Sequence, residues 1–545
     1  MSYFLPGEPH AENFSTAKGN HFPVPGSEEE IIRFKQLQLN FTAQFKNVFP
    51  ENLASKAVII IPSLTLDQDI LSRIEGINYY EERLLCLLML LKMPRTHVIY
   101  VTSTIVDPVI IDYYLHLLPG ITGYHARQRL TLLSCSDISR KSLIEKILER
   151  PLLIERIRNS IPSGYTAHIA CFNVTDKERT LAVRLGLPIY GCDPDLWYWG
   201  TKSGSRILFH KAGISFPPGF ENLANENEII DGLVALKRQQ PGLKKAIIKM
   251  NDGFSGEGNA VFSFDEAPDP GELKSWVAQN LKYMRIIAPN LNYRTFMKKF
   301  TRMQGIVEAS IDGEIKVSPS VQCRINPLGG IDIISTHDQL LGGDSGQVFL
   351  GANFPASPEY AVEIGQMTRQ IAEEMRKEGV LGRFSVDFVS VKDNDRWRHY
   401  AIEINLRKGG TTHPYLMLQF LTGGSYHAER GEFEMPDQKK RYYFASDNFS
   451  SEKCKGLTPH DLVDIAICND IHYNSTKEEG VMFHLIGALS QYGKLGLVCI
   501  GDSPEKAIVL YKRAAEILEN GTGKNATTGQ VQPSASHILP GLQVL

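Results

Sequence analysis

The sequence predicts an α/β unit followed by an α+β unit and a smaller α+β region, and two stretches of patterning carry that expectation. Between Ala57 and Phe172, apolar and β-branched runs at Ala57–Ile61, His97–Thr102, Leu130–Leu133 and Ala167–Phe172 alternate with longer segments of helical spacing. That alternation is the pattern of a parallel sheet with crossover helices. Between Lys244 and Asn405, short period-two strands separated by Gly and Asp turns dominate instead. A chain of 545 residues also exceeds what one hydrophobic core organises, so three or four structural units are expected.

Taken in order, residues 1–56 read as an N-terminal arm with a helical pattern from Glu28 to Phe45. Residues 57–200 form the α/β unit, in which Asp67–Lys92 is helical and Leu84–Leu91 is the most apolar stretch of the chain. Arg83 and Lys92 bracket that stretch. It is far shorter than the roughly 20 residues a bilayer requires, so a buried core helix is expected and no membrane partner. Residues 201–424 open with a helix over Ser203–Ala212, closed by Gly213 and Pro217-Pro218-Gly219, and hold a second helix at Glu359–Glu378. Residues 425–518 combine a strand at Leu495–Ile500 with a helix at Lys506–Leu518. The tail 519–545, rich in Gly, Thr, Ser and Pro, is expected to be disordered.

A formal charge of −3 with interspersed signs supplies no positive field for a phosphate backbone, so nucleic acid is not an expected partner. The eight cysteines are scattered without a C-x-x-C pair, and Met1–Asn20 holds no basic segment leading into an apolar core. A reduced, cytoplasmic protein is the expectation.

Chemistry concentrates in three places. An apolar strand ending in Lys249 runs into a Gly-rich loop containing Gly253, Ser255, Gly256 and Gly258 and returns as a second strand through Phe262. Glycines let backbone N–H groups crowd around phosphate oxygens, and Lys249 can supply the countercharge. Farther on, Arg383, Ser385 and Asp387 share one face of a strand, and Glu403, Asn405 and Arg407 share one face of the next. An antiparallel hairpin turning near Lys392–Arg396 would set Asp387 beside Glu403. Two carboxylates and an amide there suit Mg²⁺ carrying a nucleotide. The third place is the strand Gln322–Asn326, with an Asp312-Gly313 turn expected to put Glu308 on its partner strand. Arg324 on it could clamp a phosphate or a carboxylate.

In this order the pieces resemble the ATP-grasp superfamily. Thr201–Arg206 through Ala212–Gly219 is similar to its entry motif, Ile247–Phe262 to its second lysine and glycine flap, and Asp387, Glu403, Asn405 and Arg407 to its magnesium and phosphate residues. The resemblance implies an ATP-grasp fold, with residues 57–200 as the pre-ATP-grasp α/β domain and residues 425–518 as a small C-terminal α+β domain. It implies that Lys202 and Lys249 bind ATP phosphates, and that Met297-Lys298-Lys299-Phe300 forms the hinge strand against adenine, followed by the acid Glu308. Asp387, Glu403 and Asn405 would hold Mg²⁺, with Mn²⁺ as a substitute. Arg324, Arg383 and Arg407 would be the catalytic arginines, Arg407 and Arg324 offsetting charge on the transferred phosphate. The run Glu478–Leu489 with Tyr492–Gly496, and Lys408–His413, are similar to pheganomycin-type peptide ligases. That resemblance implies a carboxylate–amine ligase acting through an acyl phosphate and releasing ADP, with an amino-acid carboxylate and an amine or peptide acceptor as substrates. An ATP-grasp phosphotransferase or thiol ligase and a degenerate nucleotide-binding regulator are the alternatives, and a homodimer is compatible with the sequence.

Overall fold

The computed structural model describes residues 22–65, 71, 76–253, 258–288, 291–342 and 348–520. Four strands, β1 (Lys56–Ile61), β2 (Thr96–Thr102), β3 (Leu130–Ser134) and β4 (Thr166–Cys171), form a sheet in the order β3-β2-β1-β4. Every pairing in it is parallel, as the alternation predicts. All residues of β1 are buried, because helices cover both faces of the sheet.

One of those helices, Ile77–Lys92, is wound as a 3₁₀ helix and buries Leu84 through Met89 and Leu91. The apolar stretch is therefore core, and among the described residues no helix is long and apolar enough to cross a membrane. The first part of the predicted Asp67–Lys92 helix lies largely outside the described residues. Helix Ile77–Lys92 is pinned to a later turn by Glu82, whose two carboxylate oxygens accept from the Gly487 N–H at 3.1 and 3.2 Å.

Burial pushes the Glu82 carboxyl up to about 8, from an ordinary 4.5. The folded state thus keeps a proton that the unfolded chain releases above 4.5. Stability contributed by the neutral acid is full below that pH and is lost as pH rises toward 8. Glu82→Gln keeps an acceptor for Gly487 and removes the titration. Denaturant midpoints measured from pH 5 to 8 should fall less steeply in the variant, by about 2 kcal/mol across the window.

The rest of the strands build two antiparallel sheets and a two-stranded ribbon. β5 (Gly219–Leu223), β6 (Lys245–Met250), β7 (Asn259–Ser263), β8 (Arg285–Ile286) and β9 (Gly305–Ala309) stand in the order β5-β9-β6-β7-β8. The larger sheet contains β10 (Ile315–Ile325), β11 (Ile331–Gly342), β12 (Val348–Phe354), β13 (Gly382–Asp393) and β14 (Arg396–Asn405). A two-stranded ribbon, β15 (Ser425–His427) and β16 (Glu432–Glu434), follows. Then β17 (Tyr442–Ser450), β18 (Gly480–His484) and β19 (Lys494–Gly501) extend the larger sheet, giving eight strands in the order β14-β13-β10-β11-β12-β17-β19-β18. Helix Ala361–Lys377 packs Ile364, Ile371 and Met375 into the core behind it. The ATP-grasp architecture, two antiparallel sheets facing a cleft beside a parallel α/β unit, is thus the fold of this chain.

Two expectations are corrected. The segment holding Lys298, Lys299 and Phe300 is helix Tyr293–Met303, not a strand. Asn292 caps it by accepting from the Thr295 N–H at 2.9 Å, while Phe296, Met297 and Phe300 turn into the core and Lys298 stays outside. Spacing of three and four residues puts these apolar side chains on one face of a helix. Glu308 is also not on the partner strand of Arg324. β9 pairs with β5 and β6, whereas β10 pairs with β11 and β13.

Candidate active site

Between the two sheets lies a cleft of about 370 Å³. Two of its lysines come from the smaller sheet and the helix beside it. Lys202 opens helix Lys202–Lys211, whose cap, Thr201, accepts from the Gly204 N–H at 3.0 Å. Lys249 lies near the end of β6, one residue before the turn into the loop. Asn251 ties these two elements together, its side-chain oxygen accepting from the Ser203 N–H at 3.0 Å and its carbonyl from the Lys202 N–H at 3.3 Å. Gly253 and Gly258 face each other at the mouth of the β6–β7 loop, where a Cβ on Gly253 would meet the Gly258 backbone at 3.5 Å. Ser255 and Gly256 lie outside the described residues.

Each lysine is held by an acid. Lys202 pairs with Glu403, and Lys249 reaches Glu308 at 2.6 Å. Glu308 is 2% exposed and receives Arg206 at 3.3 Å on its other oxygen. Glu308 belongs to the lining of the cleft, and its carboxylate holds Lys249 there. The residues that follow, Ala309, Ser310 and Ile311, line the cleft together with Ile247 and Ile402. This apolar slot, with backbone groups at its edge, is the surface suited to a purine, and it stands where the helix with Lys298–Phe300 does not.

The carboxylates come from the larger sheet as expected. β13 and β14 form a hairpin whose turn residues Asn394 and Asp395 have φ of 49° and 61°, and Asp387 pairs directly with Glu403. Ser320 donates to Asp387 at 2.6 Å, Gln339 at 2.9 Å and Asn405 at 2.9 Å; Asn405 also reaches Glu403 at 3.2 Å. Burial and the charge of Glu403 push the Asp387 carboxyl up. Burial works against Glu403 too, but Lys202, Lys249 and Arg407 outweigh it and hold Glu403 down. Arg407 faces both acids. Two adjacent carboxylates that repel each other, with an amide between them and cations around them, form a hard-oxygen donor set that fits Mg²⁺.

Arg324 and Arg383 fall elsewhere. They pair with each other across β10 and β13, beyond the cleft's lining residue Ser385. Several lining residues had no sequence signal. Lys316 on β10 is a third cleft lysine, its ammonium pulled down by burial. Arg83 from the helix beside the parallel sheet and Asp447 from β17 form a nearly buried ion pair at the cleft wall. Only their shared interior location joins them.

The comparisons agree with this fold. Residues 196–269 and 270–429 match the family model "IQCH-like, ATP-grasp". The likeness to an ATP-grasp domain thus spans residues 196–429. Residues 461–514 match the model "PGM1 C-terminal domain". Among curated proteins, the chain is 29% identical over 472 residues to L-propargylglycine–L-glutamate ligase of Streptantibioticus cattleyicolor, covering 85% of this chain and 94% of that enzyme. It is 21% identical over 516 residues to IQ motif-containing protein H of Danio rerio, covering 85% of this chain but only 48% of that longer protein. Among solved structures, biotin carboxylase from Campylobacter jejuni, solved as a β,γ-ATP complex, superposes with a TM-score of 0.51 at 14% identity, over 86% of this chain and 95% of that one. The biotin carboxylase domain of 2-oxoglutarate carboxylase from Hydrogenobacter thermophilus gives the same TM-score and identity, over 85% and 89%. These two likenesses concern the fold. The full-length relative, with the match over residues 461–514, supports the resemblance of Lys408–His413 and Glu478–Gly496 to pheganomycin-type peptide ligases.

Proposed function

We propose that this chain is an ATP-dependent carboxylate–amine ligase of peptide type, joining the carboxylate of an amino acid to the amine of a second amino acid or peptide. The observation that carries the reading is the convergence of Lys202, Lys249 and Arg407 on the Asp387–Glu403–Asn405 set across a cleft with an adjoining purine-sized slot. Lys202 and Lys249 serve the ATP phosphates, exchanging their carboxylate partners for phosphate oxygens. Ile247, Ile402 and the backbone from Glu308 to Ile311 receive adenine. Asp387, Glu403 and Asn405 hold Mg²⁺, for which Mn²⁺ substitutes; the cation supplies charge that offsets repulsion among phosphate oxygens. Arg407 stabilises charge as a carboxylate oxygen attacks the γ-phosphorus and the bond to ADP breaks. The amine then attacks the acyl carbon and displaces phosphate, and the proton from nitrogen passes to solvent or phosphate.

The test is a panel of amino-acid pairs incubated with ATP and Mg²⁺, with nucleotide analysis and product mass determined. ADP together with an amide-linked product supports the ligase. A phosphorylated product without an amide indicates a phosphotransferase, a thioester indicates a thiol ligase, and absence of turnover with intact ATP binding indicates a regulator. The family of the full-length relative favours the ligase.

Lys249→Ala should weaken ATP binding by about 10- to 100-fold, the worth of a charge-assisted contact. Arg206 still holds Glu308 in that variant, so the thermal midpoint should barely move. Calorimetric titration with ATP reads the first effect and a melting curve the second; unchanged ATP affinity would remove Lys249 from the phosphate site.

A further inference from the structure

The row of polar side chains that carries the metal-binding set continues past the nucleotide cleft and ends in two arginines. On neighbouring strands Ser320 pairs with Asp387, Gln322 with Ser385, and Arg324 with Arg383. Four residues of strand separate Asp387 from Arg383, a span of about 13 Å. The cleft's lining includes Ser385, Gly409, Gly410 and Thr411 and stops there. The pair thus begins just beyond Ser385, where the lining of the nucleotide cleft ends.

Two guanidinium groups in register repel, and the surroundings compensate them only in part. Arg324 holds Asp332 at 2.7 Å, with its side chain 40% exposed. Arg383 has no carboxylate partner among the described residues; it donates at 3.0 Å to the amide oxygen of Gln322. Gln322 is itself fixed, receiving Thr412 at 3.2 Å and donating to the Thr411 carbonyl at 3.0 Å. Burial lowers the Arg383 guanidinium, and the charge of Arg324 adds to that. Lys408 is a third cation beside Arg383, its ammonium on the Cys171 carbonyl. Opposite, the Tyr190 hydroxyl faces Arg324, buried and without a well-formed hydrogen bond. Three cations, one acid and a buried phenol, just beyond the cleft's lining, make an anion site. Nothing in the fold requires them, since a buried arginine held only by an amide costs stability.

We infer that Arg383 and Arg324, with Tyr190, bind the non-reacting carboxylate of an amino-acid substrate, so that its reacting group lies back toward Arg407 and the γ-phosphate. The inference rests on the ligase reading for the identity of the substrate. The planar fork of arginine matches a carboxylate, and a site with unmatched donors rejects the corresponding amide. Two substrates could present that carboxylate. A dicarboxylic acyl donor offers one beyond the carboxylate it activates, and a free amino-acid acceptor offers its own.

The experiment measures binding by calorimetry in the presence of a non-hydrolysable ATP analogue and Mg²⁺, and separately ADP release with ATP. The probes are L-glutamate against L-isoglutamine for the donor and L-alanine against L-alaninamide for the acceptor. The wild-type protein should prefer the acid over the amide in one of the two pairs. Arg383→Gln and Arg324→Gln should weaken that acid by on the order of 100-fold, abolish the preference over the amide and leave affinity for the ATP analogue unchanged. Arg383→Lys should recover part of the preference. Arg383→Gln removes an uncompensated buried charge, so its melting temperature should equal or exceed that of the wild type. Equal binding of acid and amide in both pairs by the wild-type protein overturns the inference, and so does a variant that loses affinity for the ATP analogue or turnover rate without losing affinity for the acid. Selective binding without ADP release or amide formation sustains the site and instead overturns the ligase reading.

Discussion

Glu403→Gln should lower the ligation rate by about 10³-fold while ADP remains the nucleotide product, the scale seen when a single preorganised charge-stabilising group is removed. Glu403 occupies the point where three demands meet. It pairs in register with Asp387, receives the ammonium of Lys202 and lies within hydrogen-bonding distance of the Asn405 amide. Glutamine keeps the volume and the hydrogen-bonding capacity but removes one negative charge, so affinity for a divalent cation falls. The fold should tolerate the change. Lys202 loses its partner, yet Asp387 loses the like-charged neighbour that pushes its carboxyl up, and the two effects oppose each other. Single-turnover rates across a Mg²⁺ titration, read beside thermal melting, separate chemistry from stability. Near-normal ligation, or AMP in place of ADP, would refute the assignment of these residues to the β- and γ-phosphates.

The legible part of this site was local. The hairpin bearing Asp387, Glu403 and Asn405 could be read from period-two alternation on either side of one turn, because strand neighbours follow from sequence neighbours. Lys249 was legible for a similar reason, at the end of an apolar strand before a Gly-rich loop, and Lys202 through the resemblance of its segment to the ATP-grasp entry motif. What failed depended on which sheet a strand joins. The Asp312-Gly313 turn reads as a simple hairpin, but the chain crosses there from the smaller sheet to the larger one, so Glu308 and Arg324 finish in different layers. The helix holding Lys298 and Lys299 was misread because the strand expectation came from the family resemblance alone, whereas the asparagine cap at Asn292 and the spacing of Phe296, Met297 and Phe300 specify a helix. Arg83 and Asp447 lie 364 positions apart and meet only because β17 joins the same sheet that the nucleotide cleft uses. No local pattern encodes such a pairing.

Gly204→Ala is expected to cost about 2–3 kcal/mol of stability, within the range of overpacking a rigid interior, and to weaken ATP binding through Lys202 rather than through any contact of its own. Gly204 lies in the first turn of helix Lys202–Lys211 and is buried against the short helical segment Pro194–Gly200. A Cβ built there would stand 2.0 Å from the Tyr198 carbonyl oxygen and 2.8 Å from its carbon. Both are backbone atoms, so no side chain can swing aside to make room. That same carbonyl accepts from the Thr201 hydroxyl at 2.7 Å and from the Thr201 N–H at 3.0 Å, while Thr201 caps the helix at Gly204 itself. Relief of the clash therefore has to lift the helix N-terminus, and Lys202 with it, away from Glu403 and the phosphate end of the cleft. Equilibrium unfolding in urea reads the stability loss, and titration with ATP at a temperature where the variant remains folded reads the displacement of Lys202. A variant with a lowered unfolding midpoint and full ATP affinity would show that Lys202 does not depend on this packing, and unchanged values of both would show that the two helices separate at little cost.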